Sequence, residues 1–309
     1  MVPTNLLQPL SIAADREVSW SLRRGAAAFG QKPPNSEVGF VAAFVLAGVP
    51  AIAKAWRPIL RTAGLSVQMA GVFIHQTPQV KFTDSRGIPR KCELADLLIV
   101  VDHLTSRGMG RRVAALVQAK MASPSGVTTL RSPGDMVQLE LLSTWPPFTM
   151  PRRFAPGPRD FSNCTHSGSL QDCGRYGLIS PQSSPDWRQS APSQTISSGG
   201  MQLGTFAARM LGTGQTGFGR EATGLADDWS RTVDELLTIS GGTAFRHAAS
   251  LGGRRPLRGS VVTAFVIDRD YFVLGRPLRR LPPFDTVPED VEQNDSEGIS
   301  FVHISISGD

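Results

Sequence analysis

The longest apolar stretch of the chain runs from Val38 to Thr62, directly after the break Pro33-Pro34-Asn35-Ser36. Asn-Ser-Glu is a capping signal, so the run reads as a helix, kinked or divided at Pro50 and ended at Gly64. The residues before it read as a short arm and one helix, Glu17 to Phe29. The pattern then changes. Leu65 to Phe82 is rich in Val, Ile and Phe, the polar turn Asp84 to Lys91 follows, and Ala95 to Val101 and Arg112 to Gln118 lie on either side of a glycine-rich excursion. These segments predict three successive strands. The run ADLLIVV is apolar without alternation, as expected of a strand covered on both faces. The fold class that follows is α/β, a mixed central sheet flanked by helices.

Further along, Pro133 to Leu142 reads as a helix capped by Ser132 and stopped by Trp145-Pro146-Pro147. From there to about Gly200 the composition turns to Pro, Ser, Gly and Arg, with a single strand expected at 175 to 180. Helices are expected at Gly204 to Leu211 and Asp227 to Ile239, and strands at Val261 to Ile267 and Ile299 to Ile306. An acidic loop, Phe284 to Gly298, joins those two strands. The expected division is an N-terminal arm and helix (1–35), an α/β core (36–182) and a C-terminal α/β extension packed on that core (183–309).

Composition sharpens this picture in two places. The chain has 309 residues, a formal charge of +6 and 40% hydrophobic residues, enough for a large core and suited to a polyanionic partner. Lysine occurs only at positions 32, 54, 81, 91 and 120, so a lysine at the end of an apolar strand, Lys120, stands out. The three cysteines, Cys92, Cys164 and Cys173, are odd in number and unevenly spaced, and the first residues lack a secretory pattern, which predicts a reducing, cytoplasmic setting. The segment Val38 to Ala53 reads as a buried helix, with no membrane partner expected.

The chemistry concentrates in CELADLLIVV (92–101) and RRVAALVQAKM (111–121). Residues two apart on a strand share a face, so Gln118 and Lys120 point the same way. Asp96 lies beside them if the strands pair, and Glu93 reaches the same side only if the chain bends at Leu94. An acid, an amide oxygen and a lysine at one sheet edge suit metal-assisted phosphodiester hydrolysis, because oxygen ligands hold a hard cation and the lysine stabilises charge.

With these residues in this order, the chain resembles the PD-(D/E)XK (restriction-endonuclease-like) nuclease superfamily over residues 36 to 180, in its Gln-x-Lys variant. The resemblance implies Asp96 as metal ligand, Gln118 at the position usually acidic, the backbone carbonyl of Ala119 as a further ligand and Lys120 as the catalytic lysine. Glutamine supplies a neutral oxygen where most members supply a carboxylate, a charge that Glu93 restores. Glu37 stands where some members carry a helical glutamate, and Gln138 and His75 are possible supporting groups. The implied cofactor is Mg²⁺ or Mn²⁺, and the implied activity is DNA endonuclease cleavage in bacterial defence or restriction. Arg107, Arg111 and Arg112 are the expected nucleic-acid contacts. The alternatives are an inactive nuclease-fold module that binds nucleic acid or a protein partner, and an RNA-directed nuclease. A homodimer or a defence-system partner is compatible with either.

Other patterns are weaker. Cys164, His166 and Cys173 lack a fourth local zinc ligand, and GTGQTGFG (212–219) follows a helix where a dinucleotide-binding turn would follow a strand.

Overall fold

The computed structural model describes residues 1–29, 32–74, 78–164, 168–182, 184–213, 218–250, 262–267, 272–274 and 298–308. The chain begins with α1 (Thr4–Trp20), which passes through a π turn and a 3-10 turn to Phe29. The expected arm is therefore helical. Leu7, Leu10, Ala14 and Val18 form its buried stripe, and Pro9 is carried inside it. Next, α2 (Glu37–Ala43), a π turn and α3 (Val49–Arg61) run on without a break. Ser36 caps this helix by accepting the Gly39 N–H at 3.1 Å.

The strands and helices that follow are β1 (Leu65–Ile74), β2 (Gln79–Thr83), β3 (Pro89–Glu93), β4 (Leu97–Thr105), β5 (Gly108–Met121), β6 (Val127–Thr129) and α4 (Pro133–Thr144). After them come β7 (Phe148–Thr149), β8 (Pro158–Arg159), β9 (Gly174–Ser180), β10 (Asp186–Ser190), β11 (Thr195–Ser197), β12 (Met201–Gln202) and α5 (Leu203–Met210). The last elements are β13 (Arg220–Glu221), α6 (Asp228–Ser250), β14 (Val262–Ile267), β15 (Phe272–Leu274) and β16 (Ser300–Gly308).

The main sheet has the order β12-β10-β9-β5-β4-β16-β1-β14-β15, with β13 paired to β5. It is mixed: β4 runs antiparallel to β5, while β5 is parallel to β9 and β4 is parallel to β16. Helices cover both faces, so the molecule is α/β with two cores. Along β4, Leu97, Ile99 and Val101 enter the core under α1, α3 and α5, and Leu98 and Val100 enter the one under α4 and α6. That is why ADLLIVV shows no alternation. The helix Glu37–Arg61 is long and apolar enough to cross a membrane, yet 72% of its most apolar window is buried inside this fold. Trp56 Nε1, for instance, donates to the Leu10 carbonyl at 2.9 Å.

Three sequence expectations are corrected. Leu65 to Phe82 is not one strand but β1, in the main sheet, and β2, in a four-stranded sheet of order β3-β2-β7-β8. The stretch after Trp145 holds more strand than the one expected at 175 to 180: β10 pairs with β9 and buries Trp187 and Gln189. Residues 183–309 are not an extension laid on a finished core either, because β16 sits between β4 and β1 and completes it. Gly177 on β9 leaves room for the Trp187 indole from β10, because a Cβ there would clash with Trp187 Nε1.

Candidate active site at the end of β4 and β5

Antiparallel pairing of Leu97 with Val117 brings the start of β4 to the end of β5. The Asp96 N–H extends the ladder by donating to the Val117 carbonyl at 3.1 Å. Its carboxylate accepts the Ala119 N–H at 2.7 Å and a short hydrogen bond from Gln118 Nε2. Buried Gln118 is held from the other side by Gln138 on α4, whose amide donates to the Gln118 side-chain oxygen. The chain bends at Leu94, as required for Glu93 to turn toward this group. From α2, Glu37 accepts the Met121 N–H at 2.9 Å. Lys120 Nζ donates to Asp135 Oδ1 at 2.8 Å, and Asp135 sits in the first turn of α4, where its N–H is capped by Ser132.

These side chains line one partly open cavity of about 170 Å³: Glu37, Glu93, Asp96, Gln118, Lys120 and Gln138, with Val41, Phe73 and Ile74 as its apolar wall. A liquid water occupies about 30 Å³, so the space of about 170 Å³ holds roughly five waters, or a cation with part of its water shell.

The electrostatics are those of crowded like charges. Burial raises the Asp96 carboxyl to about 8, and the neighbouring Glu93 and Glu37 push it the same way, against the Ala119 N–H and Lys120. Glu37 is also raised, mainly by burial and partly by Asp135, with Lys120 and the Met121 N–H opposing. Burial works to lower the Lys120 pKa, but Asp135, Glu37 and Asp96 outweigh it and the ammonium stays charged. A buried acid held against two other acids is relieved by a cation, and the donors fit one: carboxylate, amide and carbonyl oxygens are what a hard divalent ion takes. Among the described residues no group of three or more His, Cys, Asp or Glu side chains is placed to hold a metal ion. A cation here would therefore depend on the Gln118 amide and the Ala119 carbonyl as well as on Asp96.

The opposite end of the same strands is corrected most. Arg112 is not available to nucleic acid: it is buried, donating to Asp102 at 2.7 and 2.8 Å and to Asp234 at 3.2 Å. His303 Nε2 lies 2.8 Å from Asp102 Oδ2. Arg111 donates to the Gly212 carbonyl and lies 3.8 Å from Glu221, while Arg107 sits in the exposed β4–β5 turn. Nine residues of strand separate Arg111 from Lys120, about 30 Å, so these arginines do not converge on the cavity.

His75 lies outside the described residues, as does His166. Cys164 donates to Asp227, and Arg220 donates to Cys173. Sequence reasoning missed Asp135 as the partner of Lys120; the pattern Ser132-x-x-Asp135 at a helix start is the signal that points to it. Comparison of the chain with protein-family profiles, with curated proteins and with solved structures gave no match.

Proposed function

We propose that this protein is a metal-dependent nuclease of the PD-(D/E)XK type, hydrolysing phosphodiester bonds of DNA in a bacterial defence or restriction setting. The observation that carries the reading is the desolvated Asp96 carboxyl, set with Glu93, Glu37, Gln118 and Lys120 around one cavity. The element order supports it. A helix (α2 and α3), β1, the acid-led β4, the Gln-x-Lys strand β5 and α4 follow the order the resemblance implies, with β2 and β3 between β1 and β4, β6 between β5 and α4, and β16 inserted beside β4.

Asp96, the Ala119 carbonyl and the Gln118 side-chain oxygen would hold Mg²⁺ or Mn²⁺, with Glu93 adding charge. Gln118 now turns its N–H toward Asp96; rotating the amides of Gln118 and Gln138 together keeps their mutual hydrogen bond and turns the oxygen to Asp96. The bound ion supplies Lewis-acid polarisation of the phosphate and a more acidic water. Lys120, kept protonated and aimed by Asp135, places positive charge at the scissile phosphate, and Glu37 fixes the end of β5 through the Met121 N–H. The apolar wall of Val41 from α2 and Phe73 and Ile74 from β1 limits water on that side of the cavity.

A second reading is a module that keeps this cavity but binds nucleic acid or a protein partner without cutting. It is favoured by the Gln118 N–H on Asp96 and by the lack of a third acid at ligand distance among the described residues. Cleavage of supercoiled, linear and single-stranded DNA, and of RNA, with Mg²⁺ or Mn²⁺ separates the two. The nuclease reading expects metal-dependent cutting of DNA that falls about 100-fold or more in Asp96→Asn and in Lys120→Ala. No cutting by the parent on any of these substrates favours the binding module.

A further inference from the structure

The small sheet β3-β2-β7-β8 has a face that the cavity does not explain. Lys81 on β2 stands directly opposite Lys91 on β3, and both side chains are exposed. Like charges directly opposed across a strand pair destabilise the sheet. Asp84, the carboxylate in the β2–β3 turn, is already committed to Arg90 at 2.8 Å, to Arg86 and to the Ile88 N–H. The wide groove over this face is lined by Lys81, Arg90 and Lys91 with Thr83 and Thr149, and no acid is among its lining residues. Alternation along β3 sets Lys91 on the same face as Glu93, about 7 Å along the strand, and Glu93 lines the cavity at Asp96.

We infer that this lysine-paired face is a track for the phosphodiester backbone of duplex DNA, leading into the cavity beside Glu93. The inference rests on the nuclease reading for its direction toward the cavity. The charge argument holds without it: three uncompensated or half-compensated cations in an acid-free groove are complementary to a polyanion. The track also replaces Arg107, Arg111 and Arg112, which lie at the far end of β5.

The test is binding of a short labelled duplex in EDTA across a salt series, so that no cleavage is needed. Lys81→Gln combined with Lys91→Gln is expected to weaken binding roughly tenfold or more and to lower the slope of log K against log salt by about two. Lys54→Gln, on the exposed side of α3, is expected to leave both unchanged. Both lysines are exposed, so the double variant should melt at or above the parent temperature. Unchanged affinity and slope in the double variant would overturn the inference. So would a parent that binds anionic vesicles or an acidic peptide through these lysines but not the duplex. DNA binding through the lysines without any cleavage sinks the nuclease reading alone; cleavage with binding indifferent to the lysines sinks the track alone.

Discussion

Strand β4 carries an aspartate just before its start and another near its far end, Asp96 and Asp102, six residues or about 20 Å apart. Both are held by hydrogen bonds from β5, yet their chemistry is opposite. At Asp102 burial raises the pKa, but Arg112 with two hydrogen bonds and His303 with one outweigh it, and the carboxyl falls to about 2. At Asp96 burial raises the carboxyl to about 8, Glu93 and Glu37 push it the same way, and the Ala119 N–H and Lys120 do not outweigh them. One end of the strand pair has spent its charges on each other and is closed; the other leaves acids crowded around an open cavity. Paired charge marks the part of the strand that holds the fold, and a buried acid pressed by like charge marks the part that can take a ligand.

The largest effect should come from breaking the paired end. Arg112→Met leaves Asp102 buried with only His303, and should cost about 3 to 5 kcal/mol in urea denaturation. A loss under about 1 kcal/mol would mean that Asp102 is not dependent on its partner. Acid titration comes next. Asp102 is depressed below its unfolded value, so its stabilisation is present above pH 4 and is lost as pH falls through about 2. About 2 kcal/mol should disappear over that window, and the loss should be blunted in Asp102→Asn.

The open end has the opposite sign. Asp96 is raised above its unfolded value, so its contribution is present below about pH 4 and is lost as pH rises through about 8. In metal-free buffer Asp96→Asn should therefore overtake the parent in stability by pH 9, by on the order of 1 kcal/mol. Equal pH profiles for the two would remove the account of Asp96 as a buried carboxyl pressed by like charge. The smallest effect is at His303. Since Arg112 alone still gives Asp102 two hydrogen bonds, His303→Ala should cost only about 0.5 to 1.5 kcal/mol in the same denaturation experiment.

The two ends also differ in what the sequence reveals of them. Asp96, Gln118 and Lys120 lie at the ends of two apolar runs close together in the chain, so strand periodicity and the pairing of neighbouring strands bring them to one edge. Glu93 was legible as conditional on a bend at Leu94, and the bend is there. The Asp102, Arg112 and His303 network was not legible, because His303 arrives on β16 from the far end of the chain, and no local pattern announces which strand will enter between β1 and β4. The same nonlocality hid the division of Leu65 to Phe82 between two sheets. The helical arm was missed for a local reason: Pro9 interrupts a run whose Leu7, Leu10, Ala14 and Val18 spacing is helical, and tertiary burial of that stripe overrides the proline.

The most direct test of the account is calorimetric titration of Mn²⁺ into the protein near pH 7 in two buffers of different ionisation enthalpy. A raised Asp96 must lose its proton to become a ligand, so the account predicts one binding event with up to about one proton released, and loss of that event in Asp96→Asn. No Mn²⁺ binding by the parent, or binding that persists unchanged in Asp96→Asn, would contradict it.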